Sequence, residues 1–387
     1  METNPFGGRF GKSATIAGCL AFSIAALGSG LDRVASKYPT LAANIPPIFA
    51  ANAYTALGQK AVLNKDYRLA VHYAELAISA SPIEPENVAL LGVGRLALGE
   101  SASADKAFRA AAQLGWRVPV TQMYWESRAL ALGDLRVATL RLDAVLRGLP
   151  GMFSNRALTD PIERDARGRK LLAERLKFAP KWLDDYVIAA DAPPTYVLSL
   201  RAQVLVEAAL QGTVLGCTKI APLTRRLVLA GEVSNALQLW RAQCPSAASG
   251  LLADVDLKAA SHENMSPFAW DLVSDADLSS SLGTGQIGGL EVNSTASGTR
   301  AFMRQLVPVL GGSFRLSWKM RGDPSRIVIA LSCERDPKSW TSPQASLDGA
   351  YVDLKTEPGC FGQWLVFGLR PGTDSLSMGG LRFEAIK

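Results

Sequence analysis

The chain has 387 residues, of which 48% are apolar and 20% charged, and its formal net charge is +6. That length and apolar content suit two or three domains with a sizeable core and exclude a disordered or collagen-like chain. The densest basic stretch, Arg164, Arg167, Arg169, Lys170, Arg175, Lys177 and Lys181, is interrupted by Glu163, Asp165 and Glu174. That mixture reads as a solvated helix face. With no interleaved aromatic set and no known module, no nucleic-acid partner is expected; an anionic polysaccharide or lipid surface suits a mild excess of Lys and Arg.

Residues 1–31 read as a signal anchor or signal peptide, followed by a linker over 32–50. After Arg9 and Lys12, an uncharged run from Ser13 to Leu31 is long enough to cross a thin hydrocarbon core or to act as the apolar part of an export signal. Positive charge ahead of it predicts a cytoplasmic amino terminus and an exported body. Three readings compete. They are a retained inner-membrane anchor with a periplasmic body, an exported soluble protein cut after Ala26-Leu27-Gly28, and a lipid-anchored form on Ile16-Ala17-Gly18-Cys19. In the last, most of the apolar run would follow the modified cysteine. Because the run is rich in Ala, Gly and Ser, a buried soluble helix is a fourth alternative.

Over residues 51–150 a 34-residue period appears, the one that helix-hairpin repeats of the tetratricopeptide type carry. The first copy reads Tyr54, Leu57, Gly58, Ala61, Asp66-Tyr67, Ala70, Tyr73-Ala74, Ala77 and Pro82. The second keeps Leu91, Gly92, Gly99, Ala104, Phe108 and Ala111; the third keeps Gly133-Asp134, Ala138, Leu142 and Pro150. Small residues at Ala70, Ala104 and Ala138 let paired helices approach closely, and the Gly-Asp turn and proline stops bound each unit. Val88 and Gln122 stand where the first copy has an aromatic, Glu126 where it has glycine, and Trp116 where it has proline. The alternative is an alanine-rich bundle with no true repeat.

Helical texture continues over 151–245 and is expected to extend the solenoid. Leu171, Leu172, Leu176 and Phe178 form an apolar face before Pro180, Trp182 and Tyr186 lie four apart, and Tyr196–Ala209 reads as a helix. Pro222–Cys244 reads as a hairpin hinged at Gly231, with Leu227, Leu229, Leu237, Leu239 and Trp240 inward. Cys217 with Cys244, and Cys333 with Cys360, could each close a 27-residue loop in an oxidising compartment. The alternative is four unconnected buried thiols.

A linker over 246–266 leads to residues 267–387, where the hydrophobic period becomes two. Phe314, Leu316, Trp318 and Met320 alternate with Arg315, Ser317, Lys319 and Arg321, and Ile327–Cys333, Tyr351–Leu354, Phe361–Leu369 and Leu381–Ile386 read as further strands. Seven or eight short strands predict an antiparallel β-sandwich or jelly roll. The fold class is thus helical first and β after, with a membrane or signal helix in front.

Catalytic patterns are few. His72 and His262 are the only histidines; the first reads as a surface or packing residue and the second as part of the linker. Asp184-Asp185 and Asp275 with Asp277 read as solvated surface rather than a glycosidase pair, and Asp348 with Asp353 is a weak calcium signal. No catalytic, cofactor-binding or metal-ligating residue is assigned. Trp340, in the polar loop Asp336–Ser342, is the candidate glycan contact, since sugar faces stack on an exposed ring; it could equally fold back to cap the sandwich. Trp270, Trp318 and Trp364 read as core.

Several stretches together, Leu69-Ala70 to Ala77-Ile78, Gly133-Asp134 to Arg147, Leu171 to Trp182, Ala230-Gly231 to Trp240 and Pro267-Phe268-Ala269-Trp270-Asp271, resemble the tetratricopeptide proteins of alphaproteobacterial, especially sphingomonad-type, exopolysaccharide clusters. The resemblance implies a non-enzymatic periplasmic scaffold that binds cell-envelope proteins of polysaccharide assembly or export, with a jelly-roll domain similar to sugar-binding ones. The alternative it leaves is a glycan-binding protein whose repeats act as a spacer.

Overall fold

The computed structural model describes residues 7–188, 191–244, 250–258, 260, 266–283 and 289–386. Among them fourteen α-helices occupy the first two-thirds of the chain, and two antiparallel sheets occupy the last third. The chain divides into two compact units, Met1–Met152 and Phe153–Lys387.

In the first unit, helix α1 (Gly7–Ala35) is followed by α2 (Pro39–Ala42) and a 3-10 turn, Pro47–Phe49. The stretch expected as a linker from residue 32 therefore holds the end of α1 and two short helical turns. Three hairpins follow: α3 (Ala51–Leu63) with α4 (Tyr67–Ala80), α5 (Pro85–Ala97) with α6 (Ser101–Leu114), and α7 (Pro119–Ala131) with α8 (Leu135–Gly148). Their first helices begin at residues 51, 85 and 119 and their second at 67, 101 and 135, so both series step by 34.

Local chemistry sets these boundaries. Asp66 and Asp134 cap α4 and α8 by accepting from the amides of Leu69 and Val137 at 3.1 and 3.0 Å. Pro85 and Pro119 occupy the first helical position, where a missing N–H costs nothing. Gly99 and Gly133 turn the chain at φ +83° and +72°, which a side chain would resist.

Ala70, Ala104 and Ala138 are each wholly buried in the second helix of their hairpin. Helices α3, α4 and α5 meet closely at Gly58, where an added Cβ would lie 2.5 Å from Leu90 and 3.3 Å from Tyr73. Gln122 is buried in place of the aromatic and is satisfied: its amide donates to the Trp116 carbonyl at 3.2 Å, and its Oε1 accepts from Arg141 at 2.9 Å. Glu126, in place of the glycine, is also buried, and neither of its carboxyl oxygens has a hydrogen-bond partner.

The second unit opens with α9 (Arg156–Glu163), α10 (Ala166–Leu176), α11 (Leu183–Ile188), α12 (Thr195–Leu210), α13 (Cys217–Leu229) and α14 (Val233–Gln243). Trp182 and Tyr186 are buried edge-to-face at 5.5 Å. Helix α13 starts five residues before the expected Pro222, and a Cys217–Cys244 disulfide, with Cα atoms 4.8 Å apart, ties its start to the residue after α14. Leu229 is 76% exposed rather than inward, because it lies two positions, some 200° of helical turn, beyond the buried Leu227.

A buried ionic cluster joins α9, α11 and α12. Arg201, fully buried, donates to both Asp191 oxygens at 2.9 Å, and its guanidinium lies 4.9 and 5.0 Å from the Phe153 and Tyr186 rings. The Tyr186 hydroxyl donates to Glu163 at 2.8 Å, and Arg156 bonds Glu163 at 2.6 Å. Burial, followed by the Glu163 charge, holds the Tyr186 hydroxyl well above the usual phenol range.

Among the described residues ten strands follow: β1 (Asp271–Leu272), β2 (Leu278–Leu282), β3 (Leu290–Ser294), β4 (Arg300–Val307), β5 (Ser313–Arg321), β6 (Ile327–Ser332), β7 (Gln344–Ser346), β8 (Gly349–Lys355), β9 (Gln363–Leu369) and β10 (Leu376–Ala385). They form two antiparallel sheets, β1-β4-β9-β6 and β2-β3-β10-β5-β8-β7, across a shared apolar core. Phe314, Leu316 and Trp318 of one sheet and Leu365, Phe367 and Leu369 of the other face inward, with Trp270 and Trp318 edge-on to Phe367 at 5.9 and 5.7 Å. Arg326 is buried before β6 and donates to the carbonyls of Arg370, Gly372 and Asp374, in the connection between β9 and β10.

Candidate interaction surfaces

Most of the repeat-signature residues serve packing. Tyr54 stacks on Tyr73 at 6.4 Å, Leu57 packs on the cluster of Ala35, Ala42, Ala50, Ala53 and Ala56, and Phe108 covers Gly92, whose added Cβ would lie 3.0 Å from the ring. Ala77 and Ala111 are buried, Leu91 is half-buried, and Pro82 and Pro150 stand in the turns beyond α4 and α8. His72 is exposed beside Tyr73. His262 lies outside the described residues.

The first unit offers a groove of ≈ 600 Å³ between α6 and α7, lined by Asp105, Lys106, Arg109, Gln113, Tyr124 and Arg128. Tyr124 lies stacked against Phe108 at 4.1 Å, its hydroxyl donating to Asp105 at 3.0 Å while Arg109 donates to the other carboxylate oxygen at 2.7 Å. Those hydrogen bonds, Arg109's first and Tyr124's second, hold Asp105 below the usual carboxylate range. Three exposed cations thus face one neutralised acid. The arrangement suits an acidic ligand segment.

On the second unit, Trp340 neither projects freely nor caps an end of the sandwich. Its ring lies on the outer face of the four-stranded sheet, so close to Gly368 of β9 that a Cβ there would fall 2.7 Å from the indole, and it stays half-exposed. Its loop is pinned on both sides. Cys333 is joined to Cys360 with Cα atoms 5.9 Å apart, and Thr341 exchanges backbone hydrogen bonds with Ile329 at 2.8 and 2.9 Å.

Trp364, expected in the core, is half-buried on that same outer face. It alternates with the inward Leu365, Phe367 and Leu369, and Arg335 stands over its ring at 5.7 Å. Two tryptophans therefore share one sheet face, four residues apart along β9 if Trp340 is placed by Gly368, or roughly 13 Å of strand. Around them Asp271 accepts from Arg304 at 3.0 Å and Arg335 at 2.9 Å, and Arg304 reaches Asp336 at 3.2 Å. Trp364 was hidden in the sequence because Trp364–Leu369 is an unbroken apolar run without alternation.

The paired carboxylates point elsewhere. Asp184 pairs with Lys219, Asp275 accepts from the Asp277 amide in a turn, and Asp353 is held by Arg315 through two hydrogen bonds of 2.7 and 2.8 Å. Asp348 is exposed. Among the described residues no group of three His, Cys, Asp or Glu side chains is placed to hold a metal ion. No family model and no curated protein matches the chain.

Proposed function

We propose that the chain is a non-enzymatic, membrane-anchored periplasmic scaffold whose 34-residue hairpins act as a tetratricopeptide-type solenoid for cell-envelope proteins of surface polysaccharide assembly. The observation that carries this reading is the equivalence of Ala70, Ala104 and Ala138, each buried at the same step of successive hairpins. Stacked hairpins of this kind expose extended grooves rather than reaction centres. The groove between α6 and α7, with Lys106, Arg109 and Arg128, favours an acidic partner segment.

The test is co-purification of the full chain from envelope membranes, after crosslinking, with and without the pair of charge reversals Arg109→Glu and Arg128→Glu. Loss of a polysaccharide-assembly protein from the reversed variant supports the reading. Unchanged capture removes the groove from it, and cleavage or transfer of sugar residues by the purified chain overturns it.

A second reading, glycan binding by a jelly-roll domain, is favoured by the two half-exposed tryptophans on the outer face of the four-stranded sheet. Retardation in gels containing the host polysaccharide that disappears in Trp340→Ala would support it; equal migration in plain and polysaccharide gels would end it.

A further inference from the structure

Helix α1 is apolar enough over Ala14–Ala35 to cross a bilayer, and almost all of that window is exposed. Its last turns are not free. Gly28, Asp32 and Ala35 form one stripe, buried against the start of the first hairpin. Gly28 lies under Phe49, so close that a Cβ would fall 2.4 Å from the ring. The Asp32 carboxylate accepts from the Asn52 amide at 3.0 Å, the Asn52 side chain at 2.8 Å and the Ala53 amide at 2.8 Å. It thereby caps α3, whose own cap residue, Ala50, supplies no side-chain bond.

About 100° around α1 from that stripe runs another, Ile16, Leu20, Leu27, Leu31 and Val34, exposed along its whole length. The apolar surface therefore continues past the level at which the hairpin docks. Residue 48 stands beside the Phe49 that covers Gly28, inside the apolar window, and Ile48 is 82% exposed. Tyr38 is exposed too, and Arg33 and Lys37, neighbours of these residues in sequence, are exposed as well. Apolar and aromatic groups interleaved with cations at the end of an apolar helix suit the headgroup boundary of an anionic bilayer.

We propose that residues 31–49 form a collar that lies in the lipid headgroup layer, with Leu31, Val34, Tyr38 and Ile48 dipping toward the acyl chains and Arg33 and Lys37 among the phosphates, so that the first hairpin is seated rigidly on the bilayer. The proposal rests on the anchor reading. The Asp32 cap fixes the angle between α1 and α3 and leaves no slack between membrane and first hairpin.

The test uses the full chain in vesicles of phosphatidylcholine and phosphatidylglycerol with a single environment-sensitive fluorophore. It is placed at native Cys19, or, in a Cys19→Ser background, at Ile48→Cys or Leu132→Cys, the last an exposed position far along the repeats. Spin-labelled lipids then quench from acyl or headgroup depth. Expected are loss of Cys19 emission with the acyl label, loss of Ile48 emission with the headgroup label, and no loss at Leu132. Quenching at Cys19 with none at Ile48 overturns the collar and leaves the anchor standing; absence of quenching at Cys19 overturns both. In Asp32→Ala, and in the milder Asp32→Asn, headgroup quenching at Ile48 should fall while Cys19 stays quenched, and full retention of Ile48 quenching in both variants refutes the role given to the cap.

Discussion

Glu126 is the sharpest lever on stability in the first unit. Its carboxyl is buried without a hydrogen-bond partner, and burial alone pushes its pKa from the ordinary 4.5 up to about 8. The folded chain then holds a proton that the unfolded chain releases above pH 4.5. A raised carboxyl pKa contributes stability that is fully present below 4.5 and is lost as pH climbs toward 8, the reverse of a salt-bridged acid. At about 1.4 kcal/mol per tenfold, the interval from 4.5 to about 8 caps the effect near 5 kcal/mol, of which about 3 kcal/mol has gone by pH 7. Glu126→Gln keeps the shape and cannot ionise. Thermal unfolding of both chains at steps between pH 4.5 and 8 should therefore show a melting temperature that falls with pH in the native chain more steeply than in the variant, with the gap widening in favour of the variant. Parallel profiles would show that Glu126 reaches solvent or a partner, and would refute the argument.

Three other expectations follow from packing and crosslinks. Ala104→Leu forces three extra carbons into a fully buried hairpin contact and should cost about 1–3 kcal/mol, read as a lower urea midpoint, while the same change at exposed Ala102 should cost under about 0.5 kcal/mol. Replacing Cys217 and Cys244 together by serine opens a 27-residue loop, worth about 3.5 kcal/mol by chain entropy, so reductant should lower the melting temperature of the native chain more than that of the double variant. Arg201→Met strands Asp191 and removes the cation between Phe153 and Tyr186; a loss of about 3–5 kcal/mol is expected in denaturant titration, recovered in part by adding Asp191→Asn.

The hairpins were legible in the sequence because their constraint is local and repeated. A small residue must recur where two helices cross, and Ala70, Ala104 and Ala138 report it 34 residues apart. Strand β5 was legible for a similar reason, since one face is buried and the other wet. Strand β4 was not, because Met303, Gln305, Leu306 and Val307 are buried on both faces and a bulge between Ala301 and Met303 breaks the count. Strand β2 carries no signal of its own, because Leu278–Leu282 is mostly serine and its partner strand supplies the order. The outward face of Trp364 is not legible either, because an apolar run does not say which face is which. The Asp32 cap is a contact across 20 residues, and no spacing rule announces it. The cation groove is likewise a product of the tertiary fold, since Arg128 lies on the helix after Lys106 and Arg109.

The connection from Arg370 to Ser375 contains no helix or strand and little apolar surface, yet three of its carbonyls converge on the Arg326 guanidinium, and a Cβ on Gly372 would collide with that group. A guanidinium keeps its charge across the physiological pH range. The segment is wound on its arginine like thread on a spool, so acid or alkaline stress that loosens carboxylate-held loops should leave this crossing between the two sheets in register, and any glycine-to-alanine drift at residue 372 would unwind it first.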